Sequence, residues 1–378
     1  MIYLDNAATT RVHPQILTLY SKILSDYYAN QGSSHAQGLQ VNELVNKSKK
    51  SILDSLGLGS ESYQVVFTSG ATEANNLFLK GSALNYATRG RKIITSIGEH
   101  SSVLKPLQRL QDDYGFELVI LPLLPDGSID LDILERVIDD KTILVSLMAV
   151  NNETGAINDL VRIREIIQPY SKCLFHSDVT QALTKINIDY TLLDAFSFSA
   201  HKINGLKGSG ALVMRKFIQI KPLFEGGNYE YGFRAGTPDS PKNIVLAKTL
   251  KTAIKNAKMH AEQIKFMHDK LTDYLSSKSE VILNSSVDTV PYIVNFSLTQ
   301  HRAAVIAAAL SSQNIMVGTT SACSAKLNEP SRVIMAMFND AKRATEVIRV
   351  SLGTFNTLGD IETLIKALEQ LFEETRRG

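Results

Sequence analysis

Between residues 64 and 214, seven short apolar runs alternate with amphipathic stretches, and this alternation constrains the fold more than any other feature of the chain. The runs fall at 64–67, 92–96, 117–121, 142–150, 173–177, 195–199 and 210–214. Most are Val, Ile, Leu and Phe without polar alternation, the pattern of strands covered on both faces of a mainly parallel sheet. Parallel neighbours need crossovers, and helix-like segments such as 130–138 and 160–167 lie where crossovers would run. The expected architecture is therefore a doubly wound α/β domain. Such sheets bind ligands in the crevice at the carboxyl ends of their strands, so the residues just after each run carry the interest.

Beyond this region a Gly-rich polar loop spans 226–237. It reads as a binding or interface element, with a plain surface loop as the alternative. After Pro241 a long helical stretch is expected over about 243–277, leading into a second α/β region with a strand at 292–298 and a final helix at 359–374. The 378 residues suffice for two to three domains at roughly 150 residues each. Forty basic and 38 acidic residues give a net charge of +2, no electrostatic reason to expect nucleic acid or an anionic membrane as partner. No apolar run approaches the ~20 residues of a membrane-spanning helix. The N-terminus has no basic segment leading into an apolar one, so a cytoplasmic address is expected. Two cysteines, Cys173 and Cys323, are too few for a disulfide framework or a typical structural zinc site.

Four motifs follow expected strands. In Thr68-Ser69-Gly70-Ala71-Thr72-Glu73, Gly70 allows a tight turn into a helix whose free N–H groups suit a phosphate; an ordinary capping turn is the alternative. Asp178, in His176-Ser177-Asp178-Val179-Thr180-Gln181, can hold a protonated ring nitrogen or simply cap a helix. Lys202, in Ser199-Ala200-His201-Lys202, can lose its charge in a confined site and form a Schiff base with an aldehyde cofactor; otherwise it is a solvated lysine. His100, in Gly98-Glu99-His100-Ser101-Ser102, can stack on a cofactor ring and act as acid or base, or be structural. Together they supply a phosphate cradle, a carboxylate, an aldehyde-trapping lysine and a stacking imidazole, the parts that pyridoxal phosphate requires.

With Leu4-Asp5-Asn6-Ala7-Ala8-Thr9-Thr10 and Val150-Asn151-Asn152-Glu153-Thr154-Gly155, these motifs occur in an order that resembles the cysteine desulfurases, fold-type I pyridoxal-phosphate enzymes of the class-V aminotransferase group. The resemblance runs from residue 2 to about 355. It implies a large cofactor-binding domain over residues 13–255, built on a mainly parallel seven-stranded sheet, and a smaller α/β domain from 1–12 with 256–378. It also implies that Lys202 carries the cofactor and shuttles the Cα proton, that Asp178 pairs with the pyridinium, and that His100 stacks on the ring. Asn152 and Gln181 would lie near the phenolic oxygen. Ala71, Thr72, Ser199 and His201 would hold the phosphate, with Thr237 reaching in from the other subunit of a homodimer. Arg349 would bind the substrate carboxylate, for which its guanidinium fork is suited. Asn30 and His35 occupy the family's substrate-proximal stretch, though Gln31 replaces its usual proline.

The segment Ser321-Ala322-Cys323-Ser324 sets a thiol among small polar residues, and by resemblance Cys323 is the nucleophile that takes sulfur from L-cysteine, leaving alanine. Cys173, inside an apolar run, reads as a buried hydrophobe. The implied product is a persulfide on Cys323, for an acceptor such as an iron–sulfur scaffold protein or a tRNA-thiolation enzyme. No resident metal is expected, although Cys323 could transiently ligate an iron–sulfur cluster. A selenocysteine lyase or another class-V aminotransferase-like enzyme is the alternative, and Tyr229 departs from the family's usual residue in the Gly-rich loop.

Overall fold

The computed structural model describes residues 1–286, 289–319 and 329–376. A short strand β1 (Ile2–Tyr3) precedes the seven expected runs, which form β2 (Tyr63–Thr68), β3 (Lys92–Ser96), β4 (Glu117–Leu121), β5 (Thr142–Ser146), β6 (Leu174–Asp178), β7 (Ala195–Ser199) and β8 (Gly210–Arg215). These seven make one sheet in the order β2-β8-β7-β6-β5-β3-β4. Only the two pairings of β8 are antiparallel, so the other six strands share one direction. Strands β2, β3, β5, β6 and β7 are wholly buried, as expected of strands covered on both faces. The exception is β4, at one edge, where Ile120 is 41% exposed.

Several limits differ from the sequence expectation. The run 142–150 pairs as a regular strand only to Ser146. Leu147 and Ala149 still donate to the carbonyls of His176 and Asp178, but the chain then folds back and Val150 bridges Ile157. The long helix begins at Ser240 and includes Pro241, because a first-turn N–H needs no helical acceptor; the Asp239 carboxylate accepts from Lys242 N–H at 3.1 Å and caps it. That helix, Ser240–Ser276, runs unbroken through the expected division at 255.

The remaining strands are β9 (Val281–Leu283), β10 (Ile293–Leu298), β11 (Ile315–Met316) and β12 (Val347–Ser351). An antiparallel sheet β12-β10-β9 stands beside the large one, and β1 pairs in parallel with β11. The final helix is Leu358–Arg376. One apolar core joins the two sheets, including Val65, Phe175 and Phe196 from the first and Phe296 and Ile348 from the second. That shared core brings β12 against the carboxyl edge of the large sheet. Among the described residues no helix is long and apolar enough to cross a membrane.

Candidate active site

Chain segments leaving β2, β3, β5, β6 and β7 converge on a cavity of about 260 Å³. Its wall contains Ala71, Thr72, His100, Asn152, Asp178, Gln181, Ser199, His201, Lys202 and Arg349, every one a residue the sequence singled out. Asp178 ends β6 opposite Ser197 of β7, and Lys202 closes the single helical turn that follows β7. The parallel register of β6 and β7 therefore sets carboxylate and lysine side by side.

Lys202 Nζ donates to the Ala7 carbonyl. Burial, reinforced by the Arg349 cation, lowers its pKa to about 8, against the opposing pull of Asp178 and Asp5. A lysine so placed supplies the neutral amine that attacks an aldehyde. Asp178 Oδ1 accepts from Thr180 N–H at 3.0 Å and Oδ2 from Asn75 Nδ2 at 2.8 Å, so the carboxylate is held by an Asx turn and not by a helix start. His100 caps the helix Ser101–Tyr114, its Nδ1 accepting from Ser102 N–H at 3.1 Å. Burial is the largest cause lowering its pKa, so it rests neutral near pH 7.

The cradle lies where the helix Ala71–Tyr86 starts after Gly70, which takes φ +150°, a conformation costly for any side chain. Ala71 N–H donates to Ser199 Oγ at 2.7 Å, and the next N–H groups have no intrahelical acceptor. His201 Nδ1 lies 3.1 Å from Thr9 Oγ1, and burial with the charge of Lys202 lowers its pKa to about 4. It therefore meets an anion as a neutral hydrogen-bonding group.

Arg349 projects from β12, is 3% exposed, and so is no surface arginine. Nη2 pairs with Asp5 at 2.9 Å and Nη1 donates to the Asn152 carbonyl at 2.9 Å, while the buried Nε has no partner. Gln181 Nε2 donates to Ala7 O at 3.0 Å and its Oε1 accepts from Lys185 at 2.9 Å.

Three predicted residues stand elsewhere. His35 is exposed and caps the helix Ala36–Ser55, its Nδ1 accepting from Gly38 N–H at 3.2 Å. Asn30 does not line the cavity; its Oδ1 accepts from Gly32 N–H at 2.8 Å and Tyr229 OH at 3.1 Å. Thr237 is exposed and outside the cavity of its own chain. Cys323 lies outside the described residues. Cys173 is buried and burial pushes its thiol up, so it is no reactive thiolate. Sequence reasoning gave no role to Asp5, Ala7, Asn75 or Ser102. Asp5 and Ala7 sit in the quoted N-terminal motif, where only their distance in sequence hid their place beside Arg349 and Lys202.

The site carries two buried polar atoms without partners, Thr180 Oγ1 and Arg349 Nε, beside a helix start bracketed by hydroxyls. These suit an anionic, ring-bearing group, and the donor set fits pyridoxal phosphate. Ala71, Thr72, Ser199 and His201 would hold its phosphate, Asp178 its ring nitrogen and Lys202 its aldehyde carbon. Fold and site together define a fold-type I pyridoxal-phosphate enzyme.

The model of the family "Aminotransferase class-V" matches residues 2–364, and the chain belongs to that family. It is 34% identical to the "NifS/IcsS protein homolog" of Lactobacillus delbrueckii subsp. bulgaricus, over 99% of this chain and 97% of that one. It is also 34% identical to "Cysteine desulfurase IscS" of Dictyoglomus turgidum, over 99% and 95%. Among solved structures it is similar to a "NIFS-LIKE PROTEIN" at TM-score 0.91 and 31% identity, covering 98% of this chain and 99% of that one. It is similar as well to "SspA in complex with cysteine" at TM-score 0.81 and 29% identity, covering 94% and 100%.

Proposed function

We propose that this chain is a pyridoxal-phosphate-dependent cysteine desulfurase, converting L-cysteine to L-alanine and retaining the sulfur as a persulfide on Cys323. The observation that carries the reading is the meeting of Lys202, Asp178 and the buried Arg349 in one cavity, a cofactor lysine beside a carboxylate clamp. The names of its relatives and a relative's complex with cysteine support the same substrate.

When bound, the cofactor supplies an electron sink for the pair released at Cα. Arg349 binds the substrate carboxylate through the guanidinium face left by Asp5. Lys202 Nζ takes the Cα proton, for which its lowered pKa suits it. The Cys323 thiolate attacks the substrate sulfur. An S–S bond forms, the C–S bond breaks with its electron pair kept by the carbon fragment, and that fragment leaves as alanine after protonation at carbon. The persulfide then passes to an acceptor protein or thiol, an iron–sulfur scaffold or tRNA-thiolation enzyme being the expected class. In a homodimer the exposed Thr237 would complete the partner's phosphate site, a role that rests on the family resemblance.

The test is sulfide and alanine release from L-cysteine with a thiol reductant, for wild type, Lys202→Ala and Cys323→Ser. Equimolar products are expected from wild type and none from either variant. Full activity in Cys323→Ser excludes the persulfide route. Turnover of selenocysteine by Cys323→Ala at the wild-type rate, with little cysteine turnover in wild type, selects the selenocysteine lyase instead.

A further inference from the structure

Behind the cavity wall, Asp178 and His100 are joined by a hydrogen-bonded chain. Asn75 is fully buried on the helix Ala71–Tyr86, and its Nδ2 donates to Asp178 Oδ2 at 2.8 Å and to Ser102 Oγ at 2.9 Å. Its Oδ1 accepts from the hydroxyl of Ser197. Ser102 Oγ lies 2.8 Å from His100 Nδ1. With the Ser102 backbone N–H aimed at His100 Nδ1, these contacts favour one arrangement of hydrogens. The Ser197 hydroxyl donating to Oδ1 and the Asp178 carboxyl oxygen accepting from Nδ2 set the Asn75 amide with its nitrogen toward both Asp178 and Ser102. Ser102, receiving one amide hydrogen, turns its own hydrogen to His100 Nδ1. The Ser102 backbone N–H already points at the same nitrogen at 3.1 Å. Nδ1 thus faces two donors and carries no proton, which leaves the proton of the neutral ring on Nε2.

We propose that Asn75 and Ser102 are positioning residues that couple the Asp178 carboxylate to His100 and hold it as a neutral Nε2–H donor toward the reacting atoms. In this state His100 gives a hydrogen bond or a proton at Nε2 and does not act as a resting base there. The charged groups that face it are Asp178, Lys202 and Arg332, with Glu99 adjoining in sequence. Burial opposes the imidazolium most, Asp178 favours it, and Lys202 and Arg332 oppose it. The Ser102 hydroxyl bond at Nδ1 is accepted only by the neutral ring, so removing it shifts the balance toward the imidazolium. The inference rests on the desulfurase reading only in placing the reacting atoms beside His100.

The experiment is nitrogen NMR of cofactor-loaded, ¹⁵N-histidine-labelled enzyme, with His100→Gln assigning the signals and sulfide release measured in parallel. Wild type is expected to show protonated Nε2 and bare Nδ1. Ser102→Ala and Asn75→Ala should each raise the His100 titration midpoint by about 0.4–1 pH unit, the size of one hydrogen bond. The double variant should add little beyond either, since both cut one chain. Ser102→Thr, which keeps the hydroxyl, should restore the wild-type midpoint. A proton on Nδ1 in wild type overturns the proposal without any variant, as does an unchanged midpoint in folded Ser102→Ala. Loss of sulfide release in wild type with the tautomer intact refutes the desulfurase reading alone.

Discussion

Gly210 offers the sharpest test of how the sheet builds the phosphate cradle. A Cβ at this position would stand 2.5 Å from the Phe198 carbonyl oxygen and 2.6 Å from Gly70 Cα. Heavy atoms in contact prefer about 3.5 Å, so each approach is short by roughly 1 Å. Both obstacles are backbone of the strands or turns flanking β8, and neither can rotate aside. Gly210→Ala must therefore push the Gly70 turn away from β7, at the roughly 1–3 kcal/mol typical of overpacking. The same displacement opens the 2.7 Å bond between Ala71 N–H and Ser199 Oγ and misaligns the groups assigned to the phosphate. Loss of one hydrogen bond to a charged group costs about 1.5–3 kcal/mol, so cofactor affinity should fall about 10- to 100-fold. Cofactor titration of the apo form, followed by absorbance, measures this, and thermal melting measures the strain. Gly59→Ala is the control, since nothing lies within 4 Å of its Cβ. It should melt and bind as wild type does. If Gly210→Ala matches it in both, the close approach of β8 to the Gly70 turn has no part in the site.

Three further outcomes are expected. Cofactor capture by the apo form needs neutral Lys202, so its rate should rise through a midpoint near pH 8, and Arg349→Gln should move that midpoint upward by removing a cation; stopped-flow absorbance reads both. Glu99 is fully buried, with Oε1 accepting from Met148 N–H at 2.6 Å, and burial pushes its carboxyl well above the usual 4.5. An acid with a raised folded pKa holds its proton where the unfolded chain has lost it, so its stabilising contribution is whole below 4.5 and declines as pH rises toward the folded value. Glu99→Gln keeps the acceptor and should flatten that part of the Tm-against-pH curve; a parallel curve would show Glu99 to be ionised. Arg349→Lys cannot hold Asp5, the Asn152 carbonyl and a substrate carboxylate together, and should raise KM for cysteine about tenfold or more with a smaller change in kcat.

The cavity was legible in sequence because its parts are local. Ala71, His100 and Lys202 each follow a buried strand within a few residues and Asp178 ends one, where a sheet of this kind must place its ligand. Helix and strand limits were less so. Pro241 reads as a breaker but tolerates the first helical turn, and the run 142–150 leaves regular pairing after Ser146 although its composition stays apolar. Asn30 carried a family role in sequence, yet its hydrogen bonds here go to Gly32 and Tyr229.

By itself the sequence determined the seven strands of the large sheet, the chemistry at their ends and the family, because apolar runs and short motifs act through neighbours along the chain. Tertiary structure alone decided the strand order and what that order brings together. Arg349 meets Asp5 from 344 residues away, Lys202 meets Ala7 across 195, and Asn75 ties Asp178 to Ser102 and so to His100. Such contacts depend on side chains buried between elements, whose partners are chosen by packing in space and leave no periodic trace in the chain.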